Sequence, residues 1–212
     1  MTHAAHLRLL LKEVRGCTIC AEHLPQGPRP VLQADARARI LIAGQAPGSK
    51  VHSSGVPFDD ASGERLRQWM GLAREQFYDP ELVAILPMGF CYPGAGSSGD
   101  LPPRKECAAQ WRARLLQAMP RIELTLVIGQ YAMAWHLPGA MAKNLTETVR
   151  AWREKSCTLS HASSAETCRL TAPCDTCSSP AACVKLAWRD AASKARNALS
   201  GGRRLAMIFP HG

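Results

Sequence analysis

The 212-residue sequence predicts an α/β fold: a three-layer α/β/α sandwich around a short central parallel sheet. Three observations predict it. Short apolar runs of strand length alternate with stretches of helical periodicity. The runs are apolar at successive positions, as in strands covered on both faces, rather than at every second one. The chain is also long enough to bury one sizeable α/β core.

The elements follow in order. Residues 3–16 carry leucines at helical spacing and read as a helix ending at Gly16. The proline-rich residues 23–33 read as an extended connection, because proline disfavours helix in the residue before it. "ARILIAG" (38–44) is the first strand, closed by glycine. Ser62 is placed to cap the helix of "GERLRQWMGLA", with Leu66, Trp69 and Met70 on one face. "ELVAILPMGF" is the second strand, followed by the turn-rich "CYPGAGSSGDLPP". Pro102 and Pro103 stand where a helix through "RKECAAQWRARLLQAM" can begin. "IELTLVIG" is the third strand, "QYAMAWHL" opens another helix, and "NLTETVRAWREK" fits a last one. In such sheets ligands bind beyond the carboxyl ends of the strands, where "GQAPG" (44–48) lies.

From Cys157 the character changes. Five of the nine cysteines crowd into a Ser-, Thr- and Ala-rich stretch without a clear period. "LAWRDAASKARNAL" reads as a helix and "SGGRRLAMIFPHG" as irregular. The chain is therefore divided into a domain over 1–155 and an atypical segment over 156–212. A change of reading frame upstream of Cys157 would account for the break.

The formal charge of +9 favours an anionic partner, nucleic acid foremost. Residues 1–150 hold 17 basic and 13 acidic side chains, so much of the excess lies in the last quarter. No apolar run approaches the roughly 20 residues of a membrane span, and the start lacks a signal-peptide pattern. A cytoplasmic location is expected, where thiols stay reduced and cysteines serve as metal ligands or free thiols. Cys17 and Cys20 form "CTIC", while Cys91 and Cys107 flank the turn-rich loop. Four thiolates suit an iron–sulfur cluster or a structural zinc, and buried free thiols are the plainer reading. "CDTC" at Cys174 and Cys177 lies in the aperiodic segment and reads as incidental.

"CTIC", "ILIAGQAPG", "GVPFDDASG", "CYPG…LPPRKEC" and "LTLVIGQYA", in that order from about residue 7 to 153, resemble the iron–sulfur branches of the uracil-DNA glycosylase superfamily. The resemblance implies the three-layer fold and a structural 4Fe–4S cluster on Cys17, Cys20, Cys91 and Cys107, with zinc as the alternative. It implies a monomeric, monofunctional DNA repair enzyme that removes uracil or another deaminated base from DNA. Lys50 is the only lysine near the loop that a lyase step could use.

Hydrolysis of a flipped nucleotide needs donors at the base, an anion near the sugar, a stacking ring and a placed water. The resemblance assigns the donors to the loop at Gly44, Gln45 and Ala46, and the ring to Phe58, with a core anchor as the plainer reading of Phe58. The best-known branch carries a carboxylate where this chain has Gln45, and an amide cannot act as a base. Another branch uses an aspartate after the Phe, which falls on Asp60. Asp59 is the alternative, and a helix cap is the bland reading of either. Where the family often has a base-reading asparagine, Pro87 stands here. The His-Pro-Ser motif has its nearest counterpart at His161 and Ser163, without the proline. His52, by contrast, reads as a solvated loop histidine. These departures keep open a cluster-containing DNA-binding protein without glycosylase activity. A phosphate-cradling enzyme ranks last, since a P-loop lysine and a dinucleotide fingerprint are both missing.

Overall fold

The computed structural model describes residues 2–97, 99–137, 143, 147–148 and 204–208. Four parallel strands form the sheet in the order β2–β1–β5–β6: β1 is Ile40–Ala43, β2 Val83–Ile85, β5 Leu124–Ile128 and β6 Arg204–Ile208. Between β2 and β5 a two-residue antiparallel hairpin, β3 (Ala95–Gly96) and β4 (Gly99–Asp100), stands apart from the sheet. Register runs Ile40↔Val83 on one side of β1 and Ile40↔Leu124 on the other. All of β1 and β2 is buried, as their unbroken apolar runs predict.

Alternation along β1 separates two cores. Leu41, with Ala84 and Leu86, packs under α1 (His3–Arg15) through Leu7, Leu10, Leu11 and Val14. Trp111 and Leu115 close the same side. They lie on a continuous helical rod that starts as α5 (Lys105–Cys107), passes through a π-helical turn (Ala108–Arg112) and ends as α6 (Ala113–Gln117). Ile40 and Ile42 face the other way, onto Leu66 and Met70 of α3 (Ala61–Met70) and Phe77 of α4 (Arg74–Phe77). This is the expected three-layer arrangement. The edge of β2 is covered by Gln33, which exchanges backbone bonds with Ile85 at 3.0 and 2.7 Å. Its side-chain amide also donates to the carbonyls of Phe77 and Val83, so that edge offers no free ladder.

Two expectations about local structure need correction. Asp60, not Ser62, is the N-cap of α3. Its backbone is extended and its carboxylate accepts from the Gly63 N–H, while Ser62 falls inside the first turn. The terminal stretch read as irregular contains β6, paired along its whole length with β5 from Leu124↔Arg204 to Ile128↔Ile208. Four apolar residues after Arg204 lie beside a buried strand and gain a full parallel ladder, which the glycines and arginines preceding them obscured in the sequence. Of the expected helix at "NLTETVRAWREK", only Glu147 and Thr148 are described; both are helical, and Thr148 is buried. Cys174 and Cys177 lie outside the described residues, as does the "LAWRDAASKARNAL" helix.

Candidate active site

The loop after β1 is bound to the segment after β2. Gly44 and Gln45 carbonyls accept from the Met88 and Gly89 amides, each at 2.9 Å. The two chains leave the sheet side by side, and between them and the start of α3 opens a shallow cleft. Gly44, Gln45, Ala46, Phe58, Asp60 and Pro87 all line it. Residues up to 43 positions apart in the sequence, several of them assigned by resemblance to base binding and catalysis, thus meet at the carboxyl edge of the sheet.

Phe58 owes its place to an unusual backbone. It has φ 56°, a left-handed conformation that costs a bulky residue energy. The turn is held by the Tyr78 hydroxyl, which donates to the Phe58 carbonyl at 3.2 Å. It also requires glycine at position 63: a Cβ there would lie 1.8 Å from the Phe58 carbonyl oxygen. The ring meets Phe77 edge-on, with centroids 6.3 Å apart. Its Cζ approaches Gly44 so closely that a Cβ there would sit at 3.3 Å. Phe58 is thus both half-anchored in the core and part of the cleft wall.

The two adjacent aspartates part company. Asp59 turns away to Arg74, at 3.2 Å. Asp60 points into the cleft, with Oδ1 accepting from the Ser62 hydroxyl at 2.6 Å and the Gly63 amide at 2.9 Å. The helix-capping reading of Asp60 therefore holds as well, and it leaves Oδ2 for another partner. Gln45 is exposed, and its side chain lies across Gly129 at the start of α7 (Gln130–His136); a Cβ on Gly129 would meet it at 2.8 Å.

Behind Pro87 sits a group that sequence patterning missed. Arg112 is 1% exposed and donates to the carbonyls of Leu86 and Pro87 at 2.9 and 3.2 Å. It also donates to His136 Nε2 at 2.6 Å, which puts the proton of neutral His136 on Nδ1. Burial pulls the guanidinium down to about 10. Burial, then the charge of Arg112, pulls His136 down to about 3. The overlooked signal is spacing: Arg112 shares a helical stripe with Leu115, Leu116 and Met119. His52 is a second correction. It lies on α2 (Ser49–Ser54), is buried against Tyr92 with ring centroids 6.1 Å apart, and its Nδ1 has no partner among the described residues.

Cys17, Cys20, Cys91 and Cys107 line one pocket on the far side of residues 89–90. They are free thiols, near enough that the charges of Cys17, Cys20 and Cys91 all act on Cys107. Two of the sulfurs have a donor: Trp111 Nε1 reaches Cys17 at 3.3 Å and the Phe90 amide reaches Cys107 at 3.3 Å. Burial pushes Cys91 up to about 11 and Cys107 up to about 12. Among the described residues no three His, Cys, Asp or Glu side chains are grouped as one metal ion requires. Thiolates bound to different irons of a cluster stand further apart than the ligands of a single ion. Four thiols lining one pocket, two of them accepting N–H groups, are the donor chemistry a cluster of that kind takes.

A parallel α/β sheet with a cleft at its carboxyl edge, walled by a Gly-Pro loop, an aromatic ring and a carboxylate, is where folds of this class bind a ligand. The family model described as the uracil DNA glycosylase superfamily matches residues 32–192, and the chain belongs to that superfamily. Its members are DNA repair hydrolases that act on DNA. His161 falls within the matched range but outside the described residues. No helix among the described residues is long and apolar enough to cross a membrane.

Proposed function

We propose that this protein hydrolyses the N-glycosidic bond of uracil, or of another deaminated base, in DNA, as a monomer that initiates base excision repair. The observation that carries the reading is the meeting of the Gly44–Gln45–Ala46 loop, Phe58 and Asp60 around one cleft. The extruded base stacks on Phe58, and backbone N–H groups of the loop face its carbonyl oxygen. The C1′–N1 electron pair leaves with the base, and a water oxygen adds to C1′. Asp60 Oδ2 accepts the water proton, while Oδ1 stays fixed by Ser62 and Gly63. His161 is assigned a donor role beside the base.

Cys17, Cys20, Cys91 and Cys107 would hold a 4Fe–4S cluster that ties the amino-terminal segment to the loop entering α5. No redox step is assigned to it. With Pro87 on the cleft wall in place of an amide side chain, base choice rests on backbone groups and Gln45. A range wider than uracil follows.

The test is an oligonucleotide carrying one deoxyuridine, incubated with protein and then treated with alkali. Asp60→Asn keeps a good helix cap but removes the charge, so a loss of about 100-fold or more in cleavage isolates the chemistry from the fold. Asp59→Asn, which breaks only the exposed pair with Arg74, should leave cleavage unchanged. The Gln45 amide and the capping duty of Asp60 favour a second reading, a DNA-binding protein of this fold without glycosylase activity. Binding without release of any deaminated base would establish it.

A further inference from the structure

The hairpin places a second carboxylate against the same loop. Asp100 ends β4 opposite Ala95, and the chain leaving it is pinned by the Leu101 amide donating to the Gly94 carbonyl at 2.8 Å. From there the side chain comes up beside Gly48, at the rim of the cleft. A Cβ built on Gly48 would stand 3.4 Å from Asp100 Oδ2, and Gly48 is a cleft residue. Burial first, then the nearby charge of Asp100, raises the buried Tyr92 hydroxyl above its usual range. Among the described residues no cation pairs with Asp100.

An unpaired anion at the mouth of a DNA site opposes binding, because it faces incoming phosphates. It becomes favourable only when positive charge appears beside it. In glycosidic cleavage that charge appears on the deoxyribose as the base departs with the bonding pair. We propose that Asp100 is a second catalytic carboxylate, facing the deoxyribose of the extruded nucleotide from the Gly48 side while Asp60 faces it from the α3 side. The inference rests on the glycosylase reading. Asp60 takes the proton of the attacking water; Asp100 stays ionised throughout and stabilises the sugar cation. This division answers the loss of a carboxylate at Gln45: the negative charge stands on a neighbouring hairpin rather than within the loop.

The test is Asp100→Asn, an exposed change of nearly equal shape. Single-turnover release of uracil from a deoxyuridine oligonucleotide should slow by about 100-fold or more. Binding of an oligonucleotide bearing 2′-fluoro-deoxyuridine, whose bond resists cleavage, should tighten by about 2- to 5-fold as one repulsive charge goes. Slower cleavage with tighter binding is the signature of a group that acts in the transition state. Asp100→Ser, which also lacks the charge, should reproduce it. Unchanged cleavage in both variants would overturn the inference. So would a slowing accompanied by equal weakening of binding and a lower Tm, the pattern of a structural residue. A wild-type protein that releases no base refutes the glycosylase reading itself, and the inference falls with it.

Discussion

Gly63 offers the sharpest mechanical test of how the cleft is built. Alanine there puts a Cβ 1.8 Å from the Phe58 carbonyl oxygen and 2.8 Å from Phe58 Cβ. The closest tolerable approach is about 3.0 Å, so the carbonyl must retreat by about 1.2 Å. It cannot do so freely. Tyr78 holds it by a hydrogen bond, the left-handed φ of Phe58 leaves little room to rotate, and the ring is wedged between Phe77 and Gly44. Overpacking of this kind costs about 1–3 kcal/mol. Because the displaced residue is the cleft wall, misplacement by about 1 Å should cost about 100-fold in base release. Gly71 caps the other end of the same helix at φ 62°, and a Cβ there meets nothing within 4 Å. Gly71→Ala should therefore cost only the left-handed backbone penalty, about 1 kcal/mol, and leave cleavage intact. Urea unfolding of both variants, with a single-turnover assay, measures the two effects separately. A Gly63→Ala protein as active as Gly71→Ala would refute the account of Phe58 as a wall held by its own backbone.

Two further outcomes follow from buried charge and from the cysteines. His136 is held neutral down to about pH 3, whereas the unfolded chain binds the proton near 6.5, so stability falls as the pH drops between those values. His136→Gln abolishes this titration, and its urea-derived stability should fall less than wild type, by up to about 2 kcal/mol, between pH 7 and pH 5; parallel curves would contradict the Arg112–His136 arrangement. Protein purified without oxygen should carry about four irons with matching sulfide and a visible thiolate-to-iron band, both lost in Cys91→Ser. One zinc per chain and no colour would sink the cluster reading.

Much was legible in the residues because it depends on local rules. Short apolar runs bounded by turn residues located β1, β2 and β5, since strands covered on both faces leave no polar alternation to misread. Motif order brought Phe58, Asp60 and the Gly44–Gly48 loop together ahead of any coordinates. The errors came where a side chain's neighbours are distant in sequence. His52 reads as a loop residue until α2 turns it onto Tyr92. Arg112 drew no attention in the sequence, yet it is buried at the π-helical turn, donating to the Pro87 carbonyl. The β6 strand is invisible without its ladder to β5. Asp59 and Asp60 are chemically equivalent in the sequence. Only the turn at Phe58, with Gly63 beneath it, sends one to Arg74 and the other into the cleft. Sequence by itself determined the α/β class and the place of the glycine-rich loop after the first strand, because periodicity and spacing are properties of neighbouring residues; the four cysteines were singled out by the resemblance. Tertiary structure showed that Asp60 and not Asp59 lines the cleft, because the direction of a side chain is set by what its backbone packs against.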